Sequence, residues 1–225
     1  MSSFILKLIA ILTMFIDHTG MIMDSYTPFR IVGRVAFPIF LFLCAEGCIH
    51  TKDIKKYLIR LSVFALISEV PYNMLFHAAY TRQLVFFDPN RQNVFFTLAL
   101  GVLAVYLYTE LKKFRDILAL SVVIPCAFFA YILNTDYGAI GVLGVFFTYL
   151  APRKYLKAVV VTAVISYFYL INIFYLPMFI GALAAVVLIL FYNGKRGYGM
   201  KWAFYAAYPV HMLALVAITM LLGWI

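Results

Sequence analysis

Long apolar runs separated by short polar segments follow one another along the whole chain. None of these runs shows the period-two alternation of a membrane β-barrel strand, and an α-helix needs about 20 mainly apolar residues to cross a bilayer. The pattern therefore predicts nine transmembrane helices. They cover residues 4–23, 34–50, 57–77, 93–110, 116–133, 137–150, 155–171, 174–193 and 203–224.

The composition explains why these helices belong in a membrane. Hydrophobic residues make up 66% of the 225 residues and charged residues only 12%, whereas an ordinary soluble domain carries about 25% charge. Because so few charges cannot cover the exterior of a water-soluble protein, lipid must form the outer surface. We predict an all-α, polytopic integral membrane bundle that forms a single domain over residues 1–225. The sixth and seventh runs are short, and they form either tilted spans or a re-entrant pair.

Lysine and arginine are divided unequally between the two predicted sides of the membrane. Of the 18 Lys and Arg residues, all but Arg30, Arg34, Arg82 and Arg91 lie on the side of the N-terminus. Positive residues are enriched on the cytoplasmic side of membrane proteins, so the N-terminus is predicted to be cytoplasmic and the C-terminus outside. The net charge of +9 is then a topology signal, whose partners are membrane lipids and not nucleic acid.

Cysteine usage gives no sign of a disulfide framework or a metal site. Cys44, Cys48 and Cys126 all lie inside apolar runs, where a thiol behaves as a small hydrophobic group. We therefore expect no resident metal.

Polar side chains inside the predicted spans are the clue to function, because an ionisable group is costly there unless it faces the bundle interior or a wet cavity. Glu69, Asn73 and His77 recur at i, i+4 and i+8 and form one polar stripe on an otherwise apolar helix. Interhelical hydrogen bonding alone would also explain such groups. The residues predicted to share the outer half of the bilayer are Asp17, His18, Arg34, Glu69, Asn73, His77, Asn93, Thr97, Asp136 and Tyr137.

A smaller polar set is predicted nearer to the cytoplasm. Glu46 is followed by His50 one turn later, and Tyr208 lies close to His211 in the last run. A simple pair at a helix end would also explain Glu46 and His50. A hydrogen bond to a neighbouring helix would also explain His211.

Short motifs recur in order along nearly the whole chain. They are IDHTG at 16–20, GRVAFPIF at 33–40, AEG at 45–47, SEVPYN at 68–73, NVFFTL at 93–98, DYG at 136–138, YNGKRG at 192–197 and YPVH at 208–211. This series resembles the TraX family of conjugal-transfer pilin-acetylation proteins and their bacterial relatives. More loosely, an Asp-His pair on an early membrane helix is similar to transmembrane acyltransferases that acetylate sugars.

The resemblance implies a multi-pass acetyltransferase of the bacterial cytoplasmic membrane that uses acetyl-CoA as acyl donor. The resemblance implies the type of reaction but leaves the acceptor open. The acceptor is either a pilin-like protein N-terminus or a cell-surface glycan. Acyl transfer needs a base for the acceptor, stabilisation of the thioester oxygen and a place for the acyl-CoA.

The outer polar layer offers candidates for the catalytic roles. His18 is the predicted base, because a neutral imidazole accepts a proton at neutral pH. Asp17 points about 100° away on a helix, so we expect it to pair with Arg34, while Glu69 orients His18. The Arg34 guanidinium would bind the oxyanion or an acceptor carboxylate. Substrate contacts are assigned to Asn73, Asn93, Thr97, Asp136 and Tyr137.

The donor must enter from the cytoplasm, where basic residues can hold its phosphates. The pantetheine arm would then reach into the bundle. The residues assigned to the donor are Glu46, Lys52, Lys56, Arg60, Lys195, Arg196 and His211.

Several alternatives stay open at this point. Transfer would proceed either directly, with His18 as base, or through a covalent acyl-His18 intermediate. Membrane-embedded Asp, Glu and His also mark proton relays, so a small secondary transporter is the rival function. A membrane assembly factor without chemistry is the third.

Overall fold

The computed structural model describes residues 1–23, 26–170 and 175–225, and it contains no β-strand within them. The predicted all-helical fold is confirmed. Eleven α-helices lie in the described ranges: α1 (Ser3–Ile22), α2 (Thr27–Gly33), α3 (Ala36–His50), α4 (Ile54–Thr81), α5 (Val94–Leu111), α6 (Asp116–Leu120), α7 (Val123–Ile132), α8 (Gly138–Leu150), α9 (Lys154–Tyr169), α10 (Leu176–Leu190) and α11 (Lys201–Leu221).

Five described segments are long and apolar enough to cross a membrane, and they are Ser3–Ile22, Thr27–His50, Ile54–Thr81, Val94–Leu111 and Lys201–Leu221. Three shorter apolar segments add to them. Large apolar side chains such as Leu12, Leu66 and Val210 are more than half exposed, as expected of surfaces that face lipid. The chain is therefore a multi-pass membrane protein, and the number of nine spans stays a prediction.

One of the predicted runs is divided in the structure, and another is preceded by a separate helix. The second run, residues 34–50, is preceded by the separate helix α2, which begins at Thr27 with Pro28 in its first turn. Proline suits that position because the first N–H groups of a helix have no partner within the helix. The fifth run, 116–133, forms α6 and α7, with a turn between them. The predicted ends at 171 and 174 lie outside the described residues.

The chain forms two compact units, and each is assembled from separate stretches of sequence. The first unit comprises residues 1–40, 67–88 and 165–225, and the second comprises 41–66 and 89–164. Within the first unit, α1 packs against α2 and α11, and α2 also packs against α10. Within the second unit, α5, α7 and α8 pack against one another. The core of the first unit includes Leu6, Met21 and Met212, and that of the second includes Phe42 and Phe146.

Glycines allow α2 to lie against two neighbouring helices of the first unit. A Cβ atom at Gly33 would overlap the side chain of Asp17 on α1, and one at Gly181 would overlap the backbone carbonyl of Ile31. In the same contact between α1 and α2, a Cβ at Gly20 would come within 2.6 Å of the Cβ of Phe29. The missing side chains therefore determine how closely α1, α2 and α10 approach.

The loop before α4 ends in a side-chain cap. The Asp53 carboxylate accepts a hydrogen bond from the backbone N–H of Lys56 at 2.9 Å. This bond to the charged form lowers the pKa of the exposed Asp53 carboxyl. The cap satisfies one of the free N–H groups at the start of the longest helix.

We predict that Gly181→Ala destabilises the protein by about 1–3 kcal/mol, because a backbone carbonyl cannot rotate away from the added methyl group as a side chain can. Gly199→Ala is the matched control, since a Cβ there meets only the Arg196 Nη2 atom, at 4.0 Å. Thermal unfolding in detergent measures both. Equal unfolding temperatures for the two variants would contradict the close α2 and α10 packing.

Candidate functional site

The Asp17 carboxylate lies between two guanidinium groups in the first unit. Arg34 Nη2 donates to Asp17 Oδ1 at 2.7 Å and to Oδ2 at 2.9 Å, and Arg30 Nη1 donates to Oδ2 at 2.9 Å. Arg30 Nη1 also donates to the backbone carbonyl of Asp17 at 3.2 Å. The two guanidinium groups thus share one carboxylate. We call Asp17, Arg30 and Arg34 the ion cluster.

The local sequence explains why these three side chains meet. Arg30 lies in α2 and Arg34 caps its end, so the four-residue spacing puts both guanidiniums on the same face. The absence of a Cβ at Gly33 leaves room for Asp17 between them. The side chains are only 14–16% exposed, so each arginine needs a counter-ion, and Asp17 supplies it for both.

The His18 imidazole lies next to His211 of α11. His18 Nδ1 is 2.7 Å from His211 Nε2, and the two ring planes are 13° from parallel. His211 Nδ1 is in turn 2.8 Å from the backbone carbonyl oxygen of Ala207. The sequence predicted His211 nearer to the cytoplasm, in contact with the donor. The structure corrects this position, because the hydrogen bond puts both histidines at the same depth.

The predicted polar stripe of Glu69, Asn73 and His77 lies on the single helix α4. Asn73 Nδ2 donates to Glu69 Oε1 at 3.2 Å, and both side chains are buried. His77 Nε2 is 3.2 Å from the Asp88 carboxylate in the loop after α4. Glu69 was expected to orient His18. His18 Nδ1 has His211 as its partner, and the role of Glu69 stays a prediction.

The remaining members of the predicted outer layer belong to the second unit and bond to one another there. Asn93 caps α5 by accepting from Phe95 N–H at 3.0 Å, and it donates to the Ala65 carbonyl at 2.8 Å. The Thr97 hydroxyl lies 2.9 Å from that of Thr135 and bonds the Asp136 carbonyl. Asn93 and Thr97 are fully buried. These bonds give both residues a structural role, and their predicted contact with substrate is untested.

Tyr137 is the residue that immediately precedes α8, and it is half-buried. Its backbone is in the left-handed region, with a φ of 64°, which is uncommon for a residue other than glycine. Its side-chain role stays a prediction.

Glu46 forms a buried ion pair with Lys157 at the start of α9. His50, one turn after Glu46, has its Nε2 atom 3.3 Å from the same carboxylate, and its side chain is 60% exposed. Glu46 was predicted to contact the donor, and Lys157 was counted only as a topology charge. The buried pair gives Glu46 a structural partner, because an isolated carboxylate at this depth would be costly.

The basic residues assigned to the donor lie on exposed or half-exposed positions. In the second unit, Lys52 and Lys56 are exposed, and Arg60 stacks over the Tyr57 ring at 5.7 Å. In the first unit, Lys195 and Arg196 are exposed in the loop before α11. Their positions are those of solvated charges and are also compatible with phosphate binding.

Three partners escaped the sequence analysis: Arg30 in the ion cluster, His211 beside His18, and Lys157 beside Glu46. Arg30 had a usable signal, since it lies four residues before Arg34. The other two contacts join distant parts of the chain and have no local signal. Among the residues that the structure describes, no group of three or more His, Cys, Asp or Glu side chains is placed to hold a metal ion.

The chain matches a protein-family model described as TraX protein over residues 2–219. It is similar to a protein of Dichelobacter nodosus named "Probable fimbrial assembly protein FimC, serogroup H1", with 32% identity over 244 residues that cover 98% of this chain and 97% of the relative. No solved structure matches the chain significantly.

We predict that Asp17→Ala destabilises the protein by about 3–5 kcal/mol, because it leaves two poorly hydrated guanidiniums facing each other. Glu110→Ala is the control, since it removes an exposed ion pair with Lys113 whose side chains are 47% and 60% exposed, and such a pair contributes less than about 1 kcal/mol. Unfolding in detergent measures both variants. An equal loss in the two would show that the ion cluster is not a structural requirement.

Proposed function

Since the chain belongs to the TraX family, we propose that it is a membrane-embedded acyltransferase of the bacterial cytoplasmic membrane. It moves an acetyl group from cytoplasmic acetyl-CoA to an acceptor at the outer face. The name of the Dichelobacter nodosus relative, a fimbrial assembly protein, favours the N-terminal amine of a surface-fibre subunit over a glycan as the acceptor.

The observation that carries the proposal is the position of His18 next to the ion cluster. Adjacent residues of α1 place an imidazole and a carboxylate bound by two guanidinium groups in the same layer. Acyl transfer needs a base of this kind and a positive field for the developing oxyanion.

In the proposed reaction, the nitrogen of the acceptor amine attacks the thioester carbonyl carbon, and His18 takes a proton from that amine. Arg34 and Arg30 stabilise the negative charge that forms on the carbonyl oxygen. The C–N bond forms, the C–S bond breaks, and the imidazolium returns its proton to the departing thiolate. The products are the acetylated amide and CoA with a free thiol, so His18 ends in its starting state.

Exposed and half-exposed basic residues provide a proposed cytoplasmic phosphate site within each unit. Lys52, Lys56 and Arg60 form one group, and Lys195 and Arg196 form another. Phosphates bind such flexible cations readily. The thioester end of the donor must then reach the layer that contains His18.

A membrane assembly factor without chemistry is the second candidate, because the relative is named for assembly and not for catalysis. It assigns to His18 only the hydrogen bond to His211. The two functions therefore differ in what His18 substitution does to turnover in a protein that is still folded.

We predict that purified wild-type protein in detergent binds acetyl-CoA saturably and releases CoA when it is given a peptide with a free N-terminus. His18→Ala should reduce the release by at least about 100-fold, since a positioned general base contributes about 10²–10⁴-fold. His50→Ala is the matched control, because this histidine is exposed and lies outside the proposed site. Thiol release and peptide mass measure turnover.

Equal turnover of wild type and the His18 variant would exclude His18 as the base. A folded wild-type protein that neither binds acetyl-CoA nor acetylates would contradict the enzyme and support the assembly factor. Elution volume and helical content of each variant verify folding.

Direct transfer and an acyl-His18 intermediate differ in one exchange reaction. A covalent intermediate predicts that acetyl-CoA exchanges its CoA with labelled free CoA in the absence of acceptor. Direct transfer predicts no exchange above the level of His18→Ala. Measuring the label in acetyl-CoA after incubation without acceptor distinguishes the two.

A further inference from the structure

Ala207, His211 and His18 form a chain of hydrogen bonds. The Ala207 carbonyl determines which atom donates and which accepts in each of them. A backbone carbonyl oxygen only accepts hydrogen bonds. His211 Nδ1 lies 2.8 Å from the Ala207 oxygen, so this nitrogen carries the proton and donates it. In a neutral imidazole the other nitrogen is then bare and accepts.

The protonated nitrogen of His18 follows from the same hydrogen bonds. The bare Nε2 atom of His211 lies 2.7 Å from His18 Nδ1. Two bare nitrogens at that distance would repel, so His18 Nδ1 must carry a proton and donate it. A neutral His18 is then unprotonated at Nε2, and the lone pair of this atom can accept a proton.

We propose that His211 is a positioning residue that fixes the tautomer of His18 and leaves Nε2 of His18 as the proton-accepting atom. The assignment of the tautomer stands on the hydrogen bonds alone. Its use in acetyl transfer rests on the proposed function.

The surroundings of the pair restrict the two rings to this arrangement. α1 packs against α11, and the His211 ring has Phe15 at 6.3 Å and Tyr208 at 5.7 Å between ring centroids. These aromatic neighbours limit rotation of the imidazole. His211 is buried, so water is a poor substitute for either hydrogen bond.

Fixing a tautomer has a large kinetic effect in histidine catalysis. When the group that orients a catalytic histidine is changed so that the wrong tautomer forms, turnover falls by orders of magnitude although the geometry survives. Removing the hydrogen-bond partner of a metal-ligating histidine lowers metal affinity or activity by about 10- to 100-fold, and we expect a loss of the same order for a catalytic histidine. His211 is placed to exert this effect on His18.

The first test reads the tautomers directly and needs no activity. The chain has 4 histidines, and replacing two of them in His50→Gln with His77→Gln leaves only His18 and His211. Long-range ¹H–¹⁵N spectra of this protein, labelled on its histidine rings and kept at neutral pH in detergent, distinguish Nδ1 from Nε2. We expect both rings to carry the proton on Nδ1. A proton on Nε2 of His18 would overturn the proposal.

The second test changes the partner. His211→Leu removes the acceptor, and His18 should shift towards the Nε2–H form that free histidine prefers. His211→Gln retains an acceptor oxygen near the position of Nε2 and should keep the Nδ1–H form. An unchanged His18 tautomer in folded His211→Leu would overturn the positioning role. If His211→Leu does not fold, the test rests on His211→Gln, and loss of the Nδ1–H form of His18 in that variant would overturn the positioning role.

Kinetics then separate this proposal from the proposed function. We expect His211→Leu to lower kcat by about 10- to 100-fold with little change in KM, and His211→Gln to recover most of kcat. Equal kcat in wild type and His211→Leu would overturn the use of the tautomer in transfer. The expected spectra in a wild-type protein without transferase activity would overturn the proposed function and support the tautomer assignment.

Discussion

The ion cluster is the constraint on which the arrangement of the first unit depends. One carboxylate on α1 must neutralise two arginines that α2 carries into an apolar layer, and all three side chains are mostly buried. Removing Asp17 would take from both guanidiniums the carboxylate that they share. Because α2 has only 7 residues, it buries little apolar surface of its own, and ion pairing adds to the packing that holds it against α1.

The ion cluster also determines where His18 points. Successive residues of a helix are about 100° apart, so fixing Asp17 towards α2 turns its neighbour His18 towards a different helix. That helix is α11, which supplies His211. Two adjacent residues of one motif thus connect α1 to two helices that lie far apart in the sequence. The DH pair in the motif at 16–20 therefore has a structural explanation as well as a chemical one.

Apolar runs predicted most of the helices, but they missed α2 and some of the boundaries. α2 contains Thr27, Pro28 and Arg30, and these residues interrupt the apolar pattern that predicted the other helices. The pairing of Asp17 with Arg34 was predictable, because both lie at the same depth and have opposite charge.

The contact between His18 and His211 was not predictable, since the two residues are 193 positions apart. Their meeting depends on which face of α11 packs against α1, and a single sequence contains no local pattern for that choice. The same holds for Lys157 and Glu46, which are 111 positions apart. The polar layer was therefore visible in the sequence as a set of residues, but its division into bonded groups was not.

The two groups around α1 also bear on the choice between a transferase and a proton-coupled transporter. A carboxylate that carries protons must exchange partners in each cycle, whereas Asp17 is bound by two guanidiniums and fills the space beside Gly33. It is a fixed counter-ion. The exchangeable position in this region is the bare Nε2 of His18, which would take a proton from an acceptor and return it to a leaving group within one turnover. In the proposed transferase reaction, such a cycle moves no net proton across the membrane.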